Sequence, residues 1–163
     1  QVKNILAPTA NDGKNIEARI NMHNASCLAG MAFTNASLGL VHSLAHKIGG
    51  EFGVTHGLAN AILLPYIIDF NRKFSDKYAL AEKRLGIKDI AETVRELNKK
   101  LDIPLCFKDC NEVDFNEEKF KTVLDRMSKN AHADPCTLTN PGKPTPADVK
   151  LIYESAYYGK KIN

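Results

Sequence analysis

The sequence predicts an all-α protein built as a helical bundle. Apolar residues recur at three- and four-residue spacing through the second half of the chain, and residues typical of helix caps stand at the ends of these runs. No segment alternates apolar and polar residues as a strand does. With 44% hydrophobic and 25% charged residues among 163, the composition is that of one globular domain. We therefore expect residues 1–163 to form one helical domain.

An almost uncharged block opens the helical region. Residues 24–71 contain only three charged side chains, whereas nearly half of residues 72–129 are charged. We expect the first block to be largely buried and the second to form a solvated shell. The stretch from Asn24 to His46 has no formal charge while histidine is neutral, which is long enough for a membrane span. Interrupting polar residues and Gly39 favour two buried helices instead, with no membrane contact.

Glycines and histidines mark the next two helices. Gly49-Gly50 predicts the end of the helix that carries His42 and His46, because glycine is favoured just after the last helical turn. His56-Gly57 then opens another helix, Leu58 to Phe70, which runs through Pro65. The pattern is therefore helix, glycine turn, helix, with histidines on both sides of the turn.

The remaining helices have clearer start and stop signals. Apolar residues at helical spacing run from 87 to 101, and Pro104 marks the stop. Asn116 is an N-cap residue for the next amphipathic helix. The last helix has Thr145 as its N-cap, a proline at its first position and Gly159 as its C-terminal stop.

Three histidines form a pattern that indicates a metal or catalytic site. His42 and His46 are four residues apart, so they project from one face of a helix, and His56 follows the glycine turn. Neutral imidazoles arranged in this way suit iron, zinc, copper or nickel. Ser43 stands where zinc proteases carry a glutamate general base, which disfavours hydrolysis. The alternative is that all three are core histidines hydrogen-bonded to backbone carbonyls.

Composition excludes other classes of function. The 22 basic and 19 acidic residues are interspersed, and the net charge is only +3, so there is no basic surface for nucleic acid. Four cysteines are too sparse for a secreted disulfide framework. No signal-peptide pattern appears at the N-terminus. These observations predict a cytoplasmic protein.

The run from Asn21 to Asn71, which includes HSLAH followed after nine residues by HG, resembles the signature region of the iron-containing (group III) alcohol dehydrogenases. The resemblance extends to residues 134–141 and to the closing helix that ends at Gly159, and so covers essentially the whole chain. It implies the C-terminal helical domain of the dehydroquinate synthase-like/iron alcohol dehydrogenase fold. The family's N-terminal nucleotide-binding domain, with its glycine-rich phosphate loop, is absent from this sequence.

The resemblance implies roles for individual residues. His42 and His56 match iron ligands, with Zn²⁺ as the alternative metal. His46 matches a catalytic residue that lies near the nicotinamide of the cofactor and the substrate. Phe33 and Cys136 match positions that line the substrate pocket. The implied cofactor is NAD or NADP, bound through the missing domain, the implied substrate is a small alcohol or aldehyde, and the full-length parent can be a homo-oligomer.

The sequence departs from the family at several positions. Two further iron ligands of the family, an aspartate and a histidine four residues apart, have no counterpart before His42. The family's usual Asn-Pro-Arg is here Asn140-Pro141-Gly142. We therefore expect only a partial metal site and no dehydrogenase activity from the isolated chain.

Two alternatives to this function remain at the level of sequence. One is a zinc-dependent domain like those of glycerol dehydrogenase and dehydroquinate synthase. That group typically places Gly-Glu after the last histidine, where this chain has Gly57-Leu58. The other is a non-catalytic helical interaction module whose histidines are structural.

Overall fold

The computed structural model describes residues 12–162, which divide between Ser37 and Leu38 into two compact units. Within this described part the expected all-α fold is confirmed, because every regular element is helical. The α-helices are α1 (Ile16–Ala36), α2 (Gly39–Phe52), α3 (His56–Asn71), α4 (Lys77–Leu85), α5 (Ile90–Lys100), α6 (Glu117–His132) and α7 (Pro146–Tyr158). Short 3-10 turns lie at Arg72–Phe74, Phe107–Asp109 and Pro135–Thr139.

The first unit contains α1, which begins at the N-cap Asn15. Its side chain accepts a hydrogen bond from the backbone N–H of Ala18, and Ala18 is the one buried residue of this helix. Large apolar side chains of α1 are exposed: Ile16, Ile20, Leu28, Met31 and Phe33. The expectation that residues 24–71 are largely buried is therefore wrong for residues 24–37.

No single helix within residues 12–162 is long and apolar enough to cross a membrane. The consecutive helices α1 and α2 pass that test only when they are taken together across the break between them.

The second unit is organised around α3, which is apolar on every side. This helix packs against α2, α5 and α7, and α6 packs against α2 and α7. A helix without a polar face belongs at the centre of a fold. Pro65 lies buried inside α3 and does not end it, as expected from the sequence. The largest fully buried side chains form one core: Leu40, Leu44, Ile48, Ile62, Leu63, Ile67, Phe107, Phe120, Met127, Ile152, Tyr153 and Tyr157.

The end of α2 differs from the sequence-based prediction. The helix continues through Gly49-Gly50 and ends at Phe52, where Gly53 adopts a left-handed φ of 77°. The N–H of Gly53 donates to the carbonyl of Gly49 over 2.8 Å, which satisfies one of the last carbonyls of the helix. A Cβ on Gly49 would lie 3.4 Å from the carbonyl oxygen of Val54. That distance is an ordinary van der Waals contact, so the glycine that matters for the end of the helix is Gly53.

The caps of the last two helices are confirmed. The side chain of Asn116 accepts a hydrogen bond from the N–H of Lys119 at the start of α6. Thr145 and Asp148 form a reciprocal capping box at the start of α7, and Gly159 ends that helix with a φ of 72°. Both helices are therefore bounded by local side-chain chemistry that the sequence already contains.

A buried tyrosine ties α7 to the helix that carries two of the histidines. The ring of Tyr153 is fully buried, and its hydroxyl donates a 2.8 Å hydrogen bond to the carbonyl of Leu44. Leu44 lies between His42 and His46 on α2. The position of the histidine-bearing turn is therefore set by the core, through both apolar packing and a specific hydrogen bond.

Candidate metal centre

The structure brings His42, His46 and His56 together. His42 and His46 lie one turn apart on α2, and His56 is the first residue of α3. The ring centroids are 6.0 Å apart for His42 and His46, 5.1 Å for His42 and His56, and 5.5 Å for His46 and His56. One nitrogen from each ring can be chosen so that all three lie within 4.8 Å of one another. This is the spacing of side chains that can share one cation.

The electrostatics of this histidine cluster favour the neutral form of His42. Burial lowers the pKa of His42, and the neighbouring His56 and His46 lower it further. A neutral imidazole has a free lone pair, which is the form that binds a metal ion. The residues present therefore fit a divalent cation, although the assignment of His42 and His56 as ligands stays a prediction.

Asn60 supports His56 from one turn further along α3. Its amide nitrogen lies 3.0 Å from Nε2 of His56 and donates a 2.8 Å hydrogen bond to the backbone carbonyl of the same residue. Within the described residues, the buried Oδ1 of Asn60 has no hydrogen-bond partner. Outer contacts of this kind orient a metal-binding histidine and are part of the site. The sequence analysis did not single out Asn60, although its position four residues after His56 places it on the same helix face.

Glu112 holds the start of α3 in place. Its carboxylate accepts a hydrogen bond from the backbone N–H of Thr55 over 2.6 Å and another from the Thr55 hydroxyl over 3.0 Å. Thr55 is the N-cap of α3 and makes no side-chain cap of its own. A carboxylate from a distant part of the chain therefore satisfies the N-terminus of the helix that begins with His56.

We expect Glu112→Ala to lower the free energy of unfolding by about 1 kcal/mol, because it removes an acceptor from a helix N-terminus. Urea unfolding of the purified chain measures this change. Asp114→Ala is the matched control, since Asp114 is also an exposed carboxylate, and we expect a change below about 0.5 kcal/mol. Equal effects of the two variants would contradict the capping role.

Asp134 forms a second polar cluster beside His46. Its Oδ2 accepts a 2.8 Å hydrogen bond from Lys47 and lies 3.5 Å from Nδ1 of His46. Its Oδ1 accepts a 3.0 Å hydrogen bond from the backbone N–H of Cys136. Burial by itself raises the pKa of Asp134, but the hydrogen bonds from Lys47 and Cys136 outweigh it and lower the pKa to about 2. The carboxylate is therefore ionised at neutral pH.

Cys136, a predicted pocket residue, lies beside His46. Its thiol, Oδ of Asp134 and a ring nitrogen of His46 lie within 4.8 Å of one another. Burial raises the pKa of Cys136, and Asp134 raises it further, so the thiol stays protonated. Phe33 lies on α1 in the other unit, where it is exposed, and its role in a substrate pocket stays a prediction.

The low pKa of Asp134 makes a testable contribution to acid stability. Because the pKa is about 2 in the folded chain and 3.8 ordinarily, the stabilisation is present above about pH 4 and is lost as the pH falls towards 2. We expect about 1–2 kcal/mol of unfolding free energy to disappear in this window, allowing for the partial exposure of Lys47. Asp134→Asn should remove this part of the pH dependence. Parallel stability curves for the variant and the wild type between pH 5 and 3 would contradict it.

Gly142 stands where the resemblance leads one to expect arginine, and the structure gives a physical reason for glycine. Its φ is 81°, and a Cβ at this position would lie 2.3 Å from Cγ of Phe74. A side chain here would require both a strained backbone and displacement of the phenyl ring. No arginine role can therefore be carried over to this position.

A helical unit in which three imidazoles converge defines a candidate metal-binding domain, and comparison with known proteins identifies its family. Residues 2–157 match the model described as the Fe-containing alcohol dehydrogenase family, C-terminal. Because this match covers nearly the whole chain, the protein belongs to the Fe-containing alcohol dehydrogenase family.

Individual relatives agree with this assignment. The chain is 43% identical over 157 residues to the NADPH-dependent butanol dehydrogenase of Clostridium saccharobutylicum, covering 90% of this chain and 40% of the relative. It is 39% identical over 148 residues to an alcohol dehydrogenase of Thermococcus barophilus, covering 87% of this chain and 37% of the relative. The chain thus spans about 40% of the length of these two curated relatives.

Solved structures show the same helical architecture. The iron-containing alcohol dehydrogenase from Thermococcus thioreducens superposes with a TM-score of 0.78 at 39% identity, covering 88% of this chain and 38% of that one. A 1,3-propanediol oxidoreductase superposes with a TM-score of 0.83 at 29% identity, covering 96% of this chain and 42% of that one.

Proposed function

We propose that this chain is the metal-binding helical part of an alcohol dehydrogenase that interconverts an alcohol with an aldehyde or ketone by using NAD or NADP. The convergence of His42, His46 and His56 carries the proposal, because it places the ring nitrogens of two proposed ligands and of a third imidazole around one point. Membership in the Fe-containing alcohol dehydrogenase family supports iron as the metal. The donor set is also compatible with Zn²⁺.

Each histidine has a role in this proposal. His42 and His56 hold the metal through ring nitrogens, since they lie on two helices whose ends the core and Glu112 fix in place. When bound, the iron supplies Lewis-acid polarisation of the substrate oxygen while hydride passes between substrate carbon and nicotinamide. His46 takes the hydroxyl proton in alcohol oxidation and returns it in the reverse direction. Its side chain is 39% exposed, so it can exchange that proton with solvent.

The cofactor and the substrate are assigned separately from the histidine cluster. We assign NAD or NADP binding to a nucleotide-binding domain in the part of the relatives that this chain does not span. A small alcohol or aldehyde is the proposed substrate, with Phe33 and Cys136 as its pocket residues. We also propose a cytoplasmic location, because the four cysteines are free thiols. A homo-oligomer of the full-length parent remains part of the proposal.

The isolated chain is expected to have no dehydrogenase activity. Two histidines satisfy only half of a typical four-coordinate site, and the nucleotide-binding part is not in the sequence. The measurement is alcohol-dependent NAD(P)H formation with added Fe²⁺ and a small primary alcohol. Turnover at a rate usual for enzymes, about 1 s⁻¹ or more, would contradict the domain assignment.

The proposed function itself is best tested in a chimera. In this chimera, residues 2–157 of this chain replace the matching part of the Clostridium saccharobutylicum butanol dehydrogenase. The rest of the chimera is the sequence of the butanol dehydrogenase. We expect alcohol-dependent NADPH formation from the chimera and its loss in the His42→Ala, His56→Ala double variant. His132→Ala, outside the cluster, is the matched control and should leave activity unchanged. Activity that survives the double substitution would overturn the proposal.

A further inference from the structure

We propose that Asp134 is a positioning residue for His46, which it holds in the form with the proton on Nδ1 and the lone pair on Nε2. The inference rests on the proposed function in one respect, because that function assigns proton transfer to His46. Asp134 itself touches neither substrate nor metal in this proposal and acts only through His46.

The carboxylate is fixed so that it cannot turn away from the imidazole. Asp134 is 8% exposed, and both of its oxygens are engaged. Oδ1 caps the turn Pro135–Thr139 by accepting from the N–H of Cys136, and Oδ2 accepts from Nζ of Lys47. With these anchors in place, Oδ2 lies 3.5 Å from Nδ1 of His46. The contact joins α2 to the turn that follows α6.

Charge decides which form of the imidazole this contact favours. Asp134 is ionised at neutral pH, so its Oδ2 presents negative charge to the Nδ1 edge of the ring. A lone pair on Nδ1 would be repelled, whereas an N–H is attracted even at a distance slightly long for an ideal hydrogen bond. In a neutral imidazole the other nitrogen then carries the lone pair. The carboxylate therefore makes Nε2 the basic atom of His46.

A metal ion shared by His46, Asp134 and Cys136 is the competing interpretation of the same cluster. The position of Lys47 disfavours it. Its ammonium group already lies 2.8 Å from the oxygen that such a cation would need.

The positioning role suits proton transfer. A carboxylate behind an imidazole fixes the tautomer and the ring orientation and stabilises the imidazolium that forms after the ring accepts a proton. Lys47 keeps the carboxylate anchored from the residue next to His46. The same oxygen thus organises two consecutive side chains of α2.

The test is a nuclear magnetic resonance measurement on the chain labelled with ¹⁵N histidine, at a pH above the titration of the imidazoles. Long-range ¹H–¹⁵N correlations distinguish Nδ1–H from Nε2–H, and His46→Gln assigns the signals. We expect the Nδ1–H form to predominate in the wild type. In Asp134→Asn, the amide keeps an oxygen for the Cys136 N–H but removes the charge, and the ratio of Nδ1–H to Nε2–H should fall about tenfold.

Lys47→Met is the matched control, because it removes the ammonium but leaves the carboxylate held by the N–H of Cys136, and the Nδ1–H form should persist. Predominance of Nε2–H in the wild type, or an unchanged ratio in Asp134→Asn with native circular dichroism, would overturn the proposal. If Asp134→Asn does not fold, the wild type and Lys47→Met still decide it. The measurement needs neither metal nor nucleotide, so its failure is distinguishable from failure of the proposed function.

Discussion

Replacing both His42 and His56 with alanine is expected to weaken the binding of Fe²⁺ or Co²⁺ to this chain by more than about 100-fold. Even the outer contacts of a metal ligand are worth roughly 10–100-fold in affinity, and this variant removes the ligands themselves. The wild-type chain should bind only weakly, because two imidazoles leave the remaining coordination positions to water. Anaerobic calorimetric titration measures both affinities.

Two controls separate a metal site from general effects of removing histidines. His132→Ala removes a ring whose Nδ1 lies 3.0 Å from the carbonyl of Pro144, away from the cluster, and should leave affinity unchanged. His46→Ala should weaken binding much less than either His42→Ala or His56→Ala, because His46 is assigned to proton transfer. Equal losses from all four single substitutions would contradict the assignment of ligands.

The second large effect is expected at Tyr153, whose substitution by alanine should lower the free energy of unfolding by about 3–5 kcal/mol. The side chain is fully buried, and its removal leaves a cavity between α7 and α2 and deletes the hydrogen bond to the carbonyl of Leu44. Tyr153→Phe keeps the packing and loses the hydrogen bond, so we expect a cost of about 1 kcal/mol. Urea unfolding followed by circular dichroism measures both changes.

Leu151→Ala provides the comparison within the same helix. Leu151 is 48% exposed, and its substitution should change stability by less than about 0.5 kcal/mol. A Tyr153→Ala variant as stable as Leu151→Ala would show that α7 does not hold the histidine-bearing turn of α2 in place.

Local patterns made much of this molecule predictable. The four-residue spacing of His42 and His46 places both on one helix face whatever the rest of the chain does. The caps at Asn116 and Thr145 depend on side chains within three residues of the helix start, so the sequence contains all the information that they need. The all-α fold follows from the same periodicity.

Features that depend on distant residues were not predictable. Asp134 and Lys47 are 87 residues apart in the sequence, and Glu112 and Thr55 are 57 residues apart. No local sequence pattern therefore predicts either contact. The exposure of residues 24–37 could not be inferred from their lack of charge, because burial depends on whether another layer covers the helix. The prediction that Gly49-Gly50 ends α2 was wrong, because the helix continues to Phe52 and the glycine in the left-handed conformation that ends it is Gly53.

The two polar clusters divide the proposed chemistry between them. The histidine cluster supplies nitrogen donors for a cation, and the cluster around Asp134 supplies the fixed charge that orients His46. Both clusters meet at α2, and the contacts of Tyr153 and Lys47 hold that helix against the rest of the second unit. Loss of stability and loss of chemistry are therefore separable by the choice of substitution.

The most direct measurement is anomalous diffraction at the cobalt edge from crystals of the chain grown with Co²⁺. The account expects an anomalous peak about 2.0–2.3 Å from a ring nitrogen of both His42 and His56, and the peak should vanish in the double alanine variant. A peak held instead by Asp134 and Cys136, or no peak near the histidines at saturating Co²⁺, would contradict it.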